Sequence, residues 1–264
     1  MIDGEKKEHD NFYNDFLTIS SIQCIEETDV ITLLLTKEDI ANQEMPCSDI
    51  IKKLADKDKK TFDFGNISSI FIDSVSGLKK IIIIGLGEAD KLKPNVLRKA
   101  AGETGRSIAK AGGEKTLVFS PAVISNNDPL YLSSLIEGLI LGSYEFNEYK
   151  SGTINKFDGI IQVYSKNLHV NDIIAEANVL CESIVWTRNL VNRPGNIVQP
   201  QNIADEALKL SEKLGLKCEI LGIDAMKEKQ MGAILAVGKG SAAEPQLITL
   251  KYQGSDEANW IALV

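Results

Sequence analysis

Four isoleucines in a row, at positions 81, 82, 83 and 84, constrain this chain more than any other feature. β-Branched side chains favour extended backbone, and successive strand residues point to opposite faces. Isoleucine at both parities therefore predicts a strand at 80–84 that is buried on both faces. Apolar stretches at 17–24, 30–35, 67–72, 116–119 and 159–164 also read as strands. Helical signals separate them. Pro94 stands at the start of a helix with Leu97, Ala101, Thr104 and Ile108 on one face, stopped by Gly112 and Gly113. Asp128 before Pro129 pairs a capping side chain with proline at the first helical position. The helix it opens carries Leu132, Leu135, Ile136, Leu139 and Ile140 on one face. Strands alternating with helices predict an α/β fold over residues 16–168, after a flexible polar tail at 1–15.

Asn171 starts a long helix with Ile173, Ala177, Leu180 and Ile184, ending near Arg188. It is expected to be a connector over 169–190. Beyond it, Pro200 opens a helix with Ile203, Ala207, Leu210 and Leu214, capped by Gly215. Stretches at 216–221, 246–251 and 260–264 read as strands. The last is an apolar run, Trp260, Ile261, Ala262, Leu263 and Val264, with no polar residue after it. An open, apolar strand edge invites aggregation, so residues 191–264 are expected to be the truncated beginning of a second domain. The lysine-rich segment at 51–60 is diluted by two aspartates and reads as a solvated helix end and turn.

Composition excludes several function classes. Of 264 residues, 44% are hydrophobic and 25% charged, an ordinary globular balance. The apolar runs are too short to span a bilayer, and the N-terminal MIDGEKKEHD has no apolar signal core. A net charge of −8 argues against nucleic acid as a partner. Cys24, Cys47, Cys181 and Cys218 are scattered and form no C-x-x-C pair, which points to a cytoplasmic protein with reduced thiols. The two histidines, His9 and His169, cannot build a His-rich zinc site. Gly85-Leu86-Gly87 follows a strand but lacks the third glycine of a dinucleotide fingerprint, so it reads as a strand-ending turn. Gly238-Lys239-Gly240-Ser241 lacks the Ser or Thr directly after lysine that a phosphate loop needs. Residue types alone nominate no catalytic, metal-binding or substrate-binding residue.

Three longer segments carry more information. Residues 186–200, W-T-R-N-L-V-N-R-P-G-N-I-V-Q-P, closely resemble the A-R-D-L-V-N-x-P-x-N-x-x-x-P signature of the leucine (cytosol) aminopeptidase family. Residues 231–252, M-G-A-I-L-A-V-G-K-G-S-A-A-E-P-Q-L-I-T-L-K-Y, are similar to that family's M-G-x-x-L-A-V-x-x-G-S-x-x-P-x-L-I-x-L-x-Y landmark. Residues 137–150, E-G-L-I-L-G-S-Y-E-F-N-E-Y-K, are similar to its E-G-x-x-L-x-x-Y-x-F-x-x-Y-K stretch. The three occur in the family's order.

The resemblance implies an N-terminal macro-domain-like α/β domain, a connector helix, and the incomplete start of an α/β/α catalytic domain. It implies a hydrolase that removes N-terminal residues, leucine among them, from peptides. Two divalent metals, zinc or manganese, share a water nucleophile in such enzymes, which assemble as hexamers. The metals are held by one Lys, three Asp and one Glu, the first of them in a G-K-G-x-x-F-D-x-G-G stretch that follows the strand reading W-I-A-L-V here. This sequence contains no such stretch, so no ligand or catalytic residue of the family is carried onto it. Lys239 also stands in Gly-Lys-Gly, but its neighbours place it in the second landmark, where the position is not a ligand. The expectation is an N-terminal part of a cytosolic leucyl aminopeptidase that is inactive alone and needs no cofactor of its own. The alternative is a free-standing macro-domain-like binding module without peptidase activity. Macro domains bind ADP-ribose through glycine- and asparagine-rich loops, of which the sequence shows no pair.

Overall fold

In a computed structural model the chain is described over residues 18–22, 28, 30–42, 47–74, 77–111, 115–119, 128–151, 160–164, 169–256 and 259–264. The expected 1–15 tail, His9, Cys24 and the Gly112-Gly113 stop lie outside these residues. Two compact units divide the chain, residues 1–188 and 189–264.

The first unit is built on six strands: β1 (Thr18–Ile22), β2 (Val30–Thr36), β3 (Ile67–Ser74), β4 (Gly77–Gly87), β5 (Lys115–Phe119) and β6 (Ile160–Tyr164). They lie in the order β1-β6-β5-β2-β4-β3. All neighbours are parallel except β3, which runs antiparallel to β4. Helices α1 (Ser48–Lys57), α2 (Pro94–Ala111) and α3 (Pro129–Ser143) stand between these strands in the chain, and α4 (Val170–Asn192) follows β6. The isoleucine run behaves as its pattern requires. Ile82 and Ile84 enter a core with α2, α3 and α4, while Ile81 and Ile83 enter a second core with Ile51 and Ala55 of α1 and with Phe62. Residues of β2 alternate in the same way, Val30 and Leu34 to the first core and Ile31, Leu33 and Leu35 to the second. The sheet is thus buried on both faces, as parallel sheets require.

Local signals fix the helix ends. The Asp128 carboxylate accepts a hydrogen bond from Leu130 N at 2.9 Å, the cap expected before Pro129. The expected faces of α2 and α3 are buried throughout. In the lysine-rich segment, Ile51 and Ala55 sit one helical turn apart and bury against the second core, so this stretch is an amphipathic helix with a core face. On α4 the buried stripe is Val170, Ile173, Ile174, Ala177, Cys181 and Val185, whereas Leu180 is exposed. The stripe takes Cys181 because i+4 from Ala177 stays on the packed face and i+3 turns away from it.

The closest packing in unit 1 joins α2 to α3. A Cβ at Gly142 would overlap the Gly102 carbonyl oxygen, one at Gly105 the Leu139 carbonyl, and one at Gly138 the Arg98 carbonyl. These glycines let the two backbones touch, so the crossing depends on having no side chain there.

The second unit contains α5 (Pro200–Leu214), β7 (Lys217–Leu221), α6 (Ile223–Glu228), α7 (Gly232–Gly238) and β8 (Leu247–Lys251). β7 and β8 form an antiparallel two-stranded ribbon. Asn202 Oδ1 accepts from Gln199 N at 3.0 Å to cap α5, and Gly215 ends it at φ +67°. Three expectations fail here. The buried face of α5 is Ala204, Ala207 and Ser211, not Ile203, Leu210 and Leu214; the small residues pack, and Leu214 is 57% exposed. Two short helices, α6 and α7, stand where the sequence showed no helical period. Residues 260–264 form no strand: Ile261 is 90% and Leu263 95% exposed, and among the described residues no strand lies alongside to bond them.

Candidate functional site

The residues that looked most like a ligand loop prove to be structural. Gly85 and Gly87 close β4; a single 3-10 turn at Ala89–Lys91 follows, and the next α-helix begins only at Pro94, so no α-helix opens directly from the turn. A Cβ at Gly85 would overlap the Asp63 carbonyl, and Gly87 takes φ +75°. Lys37 N donates to Gly87 O at 2.8 Å. Around this edge Lys37 Nζ meets Asp63 Oδ1 at 2.7 Å, and that hydrogen bond holds the Lys37 ammonium above its usual pKa. Glu88 pairs with Lys91, which lowers the carboxylate and raises the amine. Glu38 accepts from Ala89 N at 3.0 Å, and the buried Asp39 accepts from Thr36 N and Oγ1 at 2.8 and 2.7 Å. These charges satisfy one another and the chain turns. The arrangement fixes loops; it does not expose a reactive group.

The Gly238–Ser241 segment is also a turn. Gly238 ends α7, and a Cβ there would lie 2.7 Å from Pro245 Cγ. Ser241 N returns to Gly238 O at 3.1 Å, and Ser241 Oγ accepts from Ala243 N at 3.1 Å. The segment leaves the C-terminal end of a helix, where carbonyl groups repel a phosphate. Lys239 is exposed.

The landmark at 137–150 has a structural logic that sequence reading left unassigned. Glu137 Oε2 accepts from Arg98 Nε at 2.7 Å across the glycine crossing. Arg188, from the 186–200 landmark, donates to Leu141 O at 3.1 Å and lies 5.5 Å from the Tyr144 ring. The Gly138/Gly142 spacing was the signal for the crossing, because two glycines four apart line one helix face. Arg98 and Arg188 carried no signal, since their partners lie 39 and 47 residues away.

Nucleophile and metal chemistry find little support in the described residues. Cys181 is buried in α4; burial, with Glu137 adding repulsion, pushes its thiol up to about 12. Burial also raises the half-buried Cys47 thiol. Both stay protonated at neutral pH, the unreactive form. His169 Nδ1 lies 3.7 Å from Asp172 Oδ2, both exposed at the start of α4. Among the described residues no three of His, Cys, Asp and Glu converge as a metal site. Among them, no helix is long and apolar enough to cross a membrane.

Comparison with known proteins gives two family matches in order. Residues 49–153 match the cytosol aminopeptidase family, N-terminal domain, and residues 185–264 match the catalytic domain of the same family. A probable cytosol aminopeptidase of Clostridium perfringens is 28% identical over 239 residues, covering 88% of this chain and 48% of that relative. One from Brucella anthropi is 33% identical over 225 residues, covering 82% of this chain and 44% of that relative. The chain therefore spans about half the length of the curated relatives it matches. A tomato leucine aminopeptidase mutant shares the fold with a TM-score of 0.73 at 20% identity, over 88% of this chain and 50% of that one. The bottromycin maturation enzyme BotP in complex with Mn has a TM-score of 0.67 at 21% identity, over 86% and 46%.

Proposed function

Because this chain belongs to the cytosol aminopeptidase family, we propose that it is the N-terminal part of a metal-dependent leucyl aminopeptidase and does not itself hold the catalytic or metal-binding residues. The reading rests on the order of the two family matches, the N-terminal domain at 49–153 and the catalytic domain from 185 onward, with helix α4 (Val170–Asn192) covering the start of the second match in sequence. On this reading residues 16–168 are the N-terminal domain, 169–190 connect, and 191–264 open the catalytic domain. Cytosolic residence, peptide substrates and a hexamer belong to the whole protein on the same reading.

The manganese named with BotP supports divalent-metal chemistry for the whole enzyme. Paired divalent cations, zinc or manganese, lower the pKa of a bound water and polarise the scissile carbonyl. On this reading the residues present do not fit such a site. Among those described, no acidic or thiol cluster converges, and the implied ligand stretch has no counterpart in the sequence. The contribution of this chain is positional: a folded α/β unit, and strands and helices on which a catalytic sheet is begun.

The test compares the chain alone with a chimera in which residues 1–264 continue into the remaining catalytic segment of the Clostridium perfringens relative. The chain alone is expected not to hydrolyse leucine p-nitroanilide with added Mn²⁺ or Zn²⁺, and the chimera is expected to do so. Chelator-sensitive turnover by the chain alone overturns the assignment of chemistry. A chimera that folds and loads metal yet cleaves no N-terminal residue overturns the aminopeptidase reading.

A further inference from the structure

We draw no further inference here: the strongest candidate, the exposed apolar strip of Ile67, Phe71 and Leu78 on the edge hairpin of β3 and β4, carries nothing because nothing in the structure shows what covers it.

Discussion

The two units reach regular structure by the same local rules but bury very different side chains. In unit 1, Leu33, Phe62, Ile81 and Leu135 are wholly buried, on both faces of the sheet. In unit 2 the buried residues, among those described, are Ala204, Ala207, Ser211 and Met226, while Leu214, Val237 and Tyr252 stand exposed. Each unit has an α-helix with a side-chain cap, α3 through Asp128 and α5 through Gln199 and Asn202. Burial of apolar area dominates stability, at about 25 cal/mol per Å². Unit 1 is therefore expected to fold alone, whereas the described residues of unit 2 bury little apolar area. This contrast accords with a catalytic domain of which only the opening is present, and it can be broken or sharpened by substitution.

The largest expected contrast is between core truncations. Phe62→Ala is expected to cost about 4 kcal/mol, the range for a buried aromatic, whereas Leu214→Ala costs less than about 0.5 kcal/mol. Urea denaturation followed by far-UV circular dichroism checks both; equal costs would mean unit 2 has a core of its own.

Glycine substitutions give the next effect. Gly142→Ala drives a methyl into the α2 backbone and is expected to cost about 3 kcal/mol. Gly232→Ala in α7 meets nothing within 4 Å and is expected to be neutral or slightly stabilising. A harmless Gly142→Ala in the same denaturation assay would show that α2 and α3 are not in backbone contact.

A smaller change runs the other way. The Thr32 hydroxyl is buried without a hydrogen-bond partner among the described residues. Thr32→Val replaces it with a methyl of similar shape and is expected to raise stability by about 1 kcal/mol. A fall in the denaturation midpoint would reveal a partner for that hydroxyl.

The weakest effect concerns thiols and pH. The folded Cys181 pKa of about 12 lies above the ordinary 9.0, so folding favours the protonated thiol. Its contribution is complete below pH 9 and declines as pH rises from there toward 12, because the unfolded thiol ionises first. Cys181→Ala is expected to flatten that part of the alkaline stability profile. At pH 8, mass-resolved labelling with Ellman's reagent should modify the half-buried Cys218 of unit 2 long before Cys181. The reverse order would show that α4 opens more readily than the ribbon.

What the sequence disclosed follows the same division. The isoleucine run, Pro94 and the Asp128-Pro129 cap act through their immediate neighbours, and each element appears where those residues place it. The face of a helix is a different matter. Ala204, Ala207 and Ser211 are buried because of what α5 packs against, and an apolar scale favours Leu210 and Leu214 instead. In α1 the lysines obscured Ile51 and Ala55, which a helical wheel places together. Residues 260–264 have strand composition, but a strand is made by its partner, which composition does not specify. The turn role of Gly85 and Gly87 was legible as a missing motif position, whereas for Gly238 the sequence ruled out a phosphate loop without showing the turn that the structure has. The Arg98–Glu137 and Arg188–Tyr144 contacts were not, since they join residues brought together only by the fold.

Hydrogen exchange read by mass spectrometry, on the chain alone and on the chimera, tests the central claim most directly. In the chain alone, amides of β2, β4 and β5 are expected to be protected for hours while those of β7 and β8 exchange within minutes; in the chimera, β7 and β8 become protected as aminopeptidase activity appears. Equal, long-lived protection of both sheets in the chain alone would contradict it, because unit 2 would then be a complete domain with no need of a catalytic remainder.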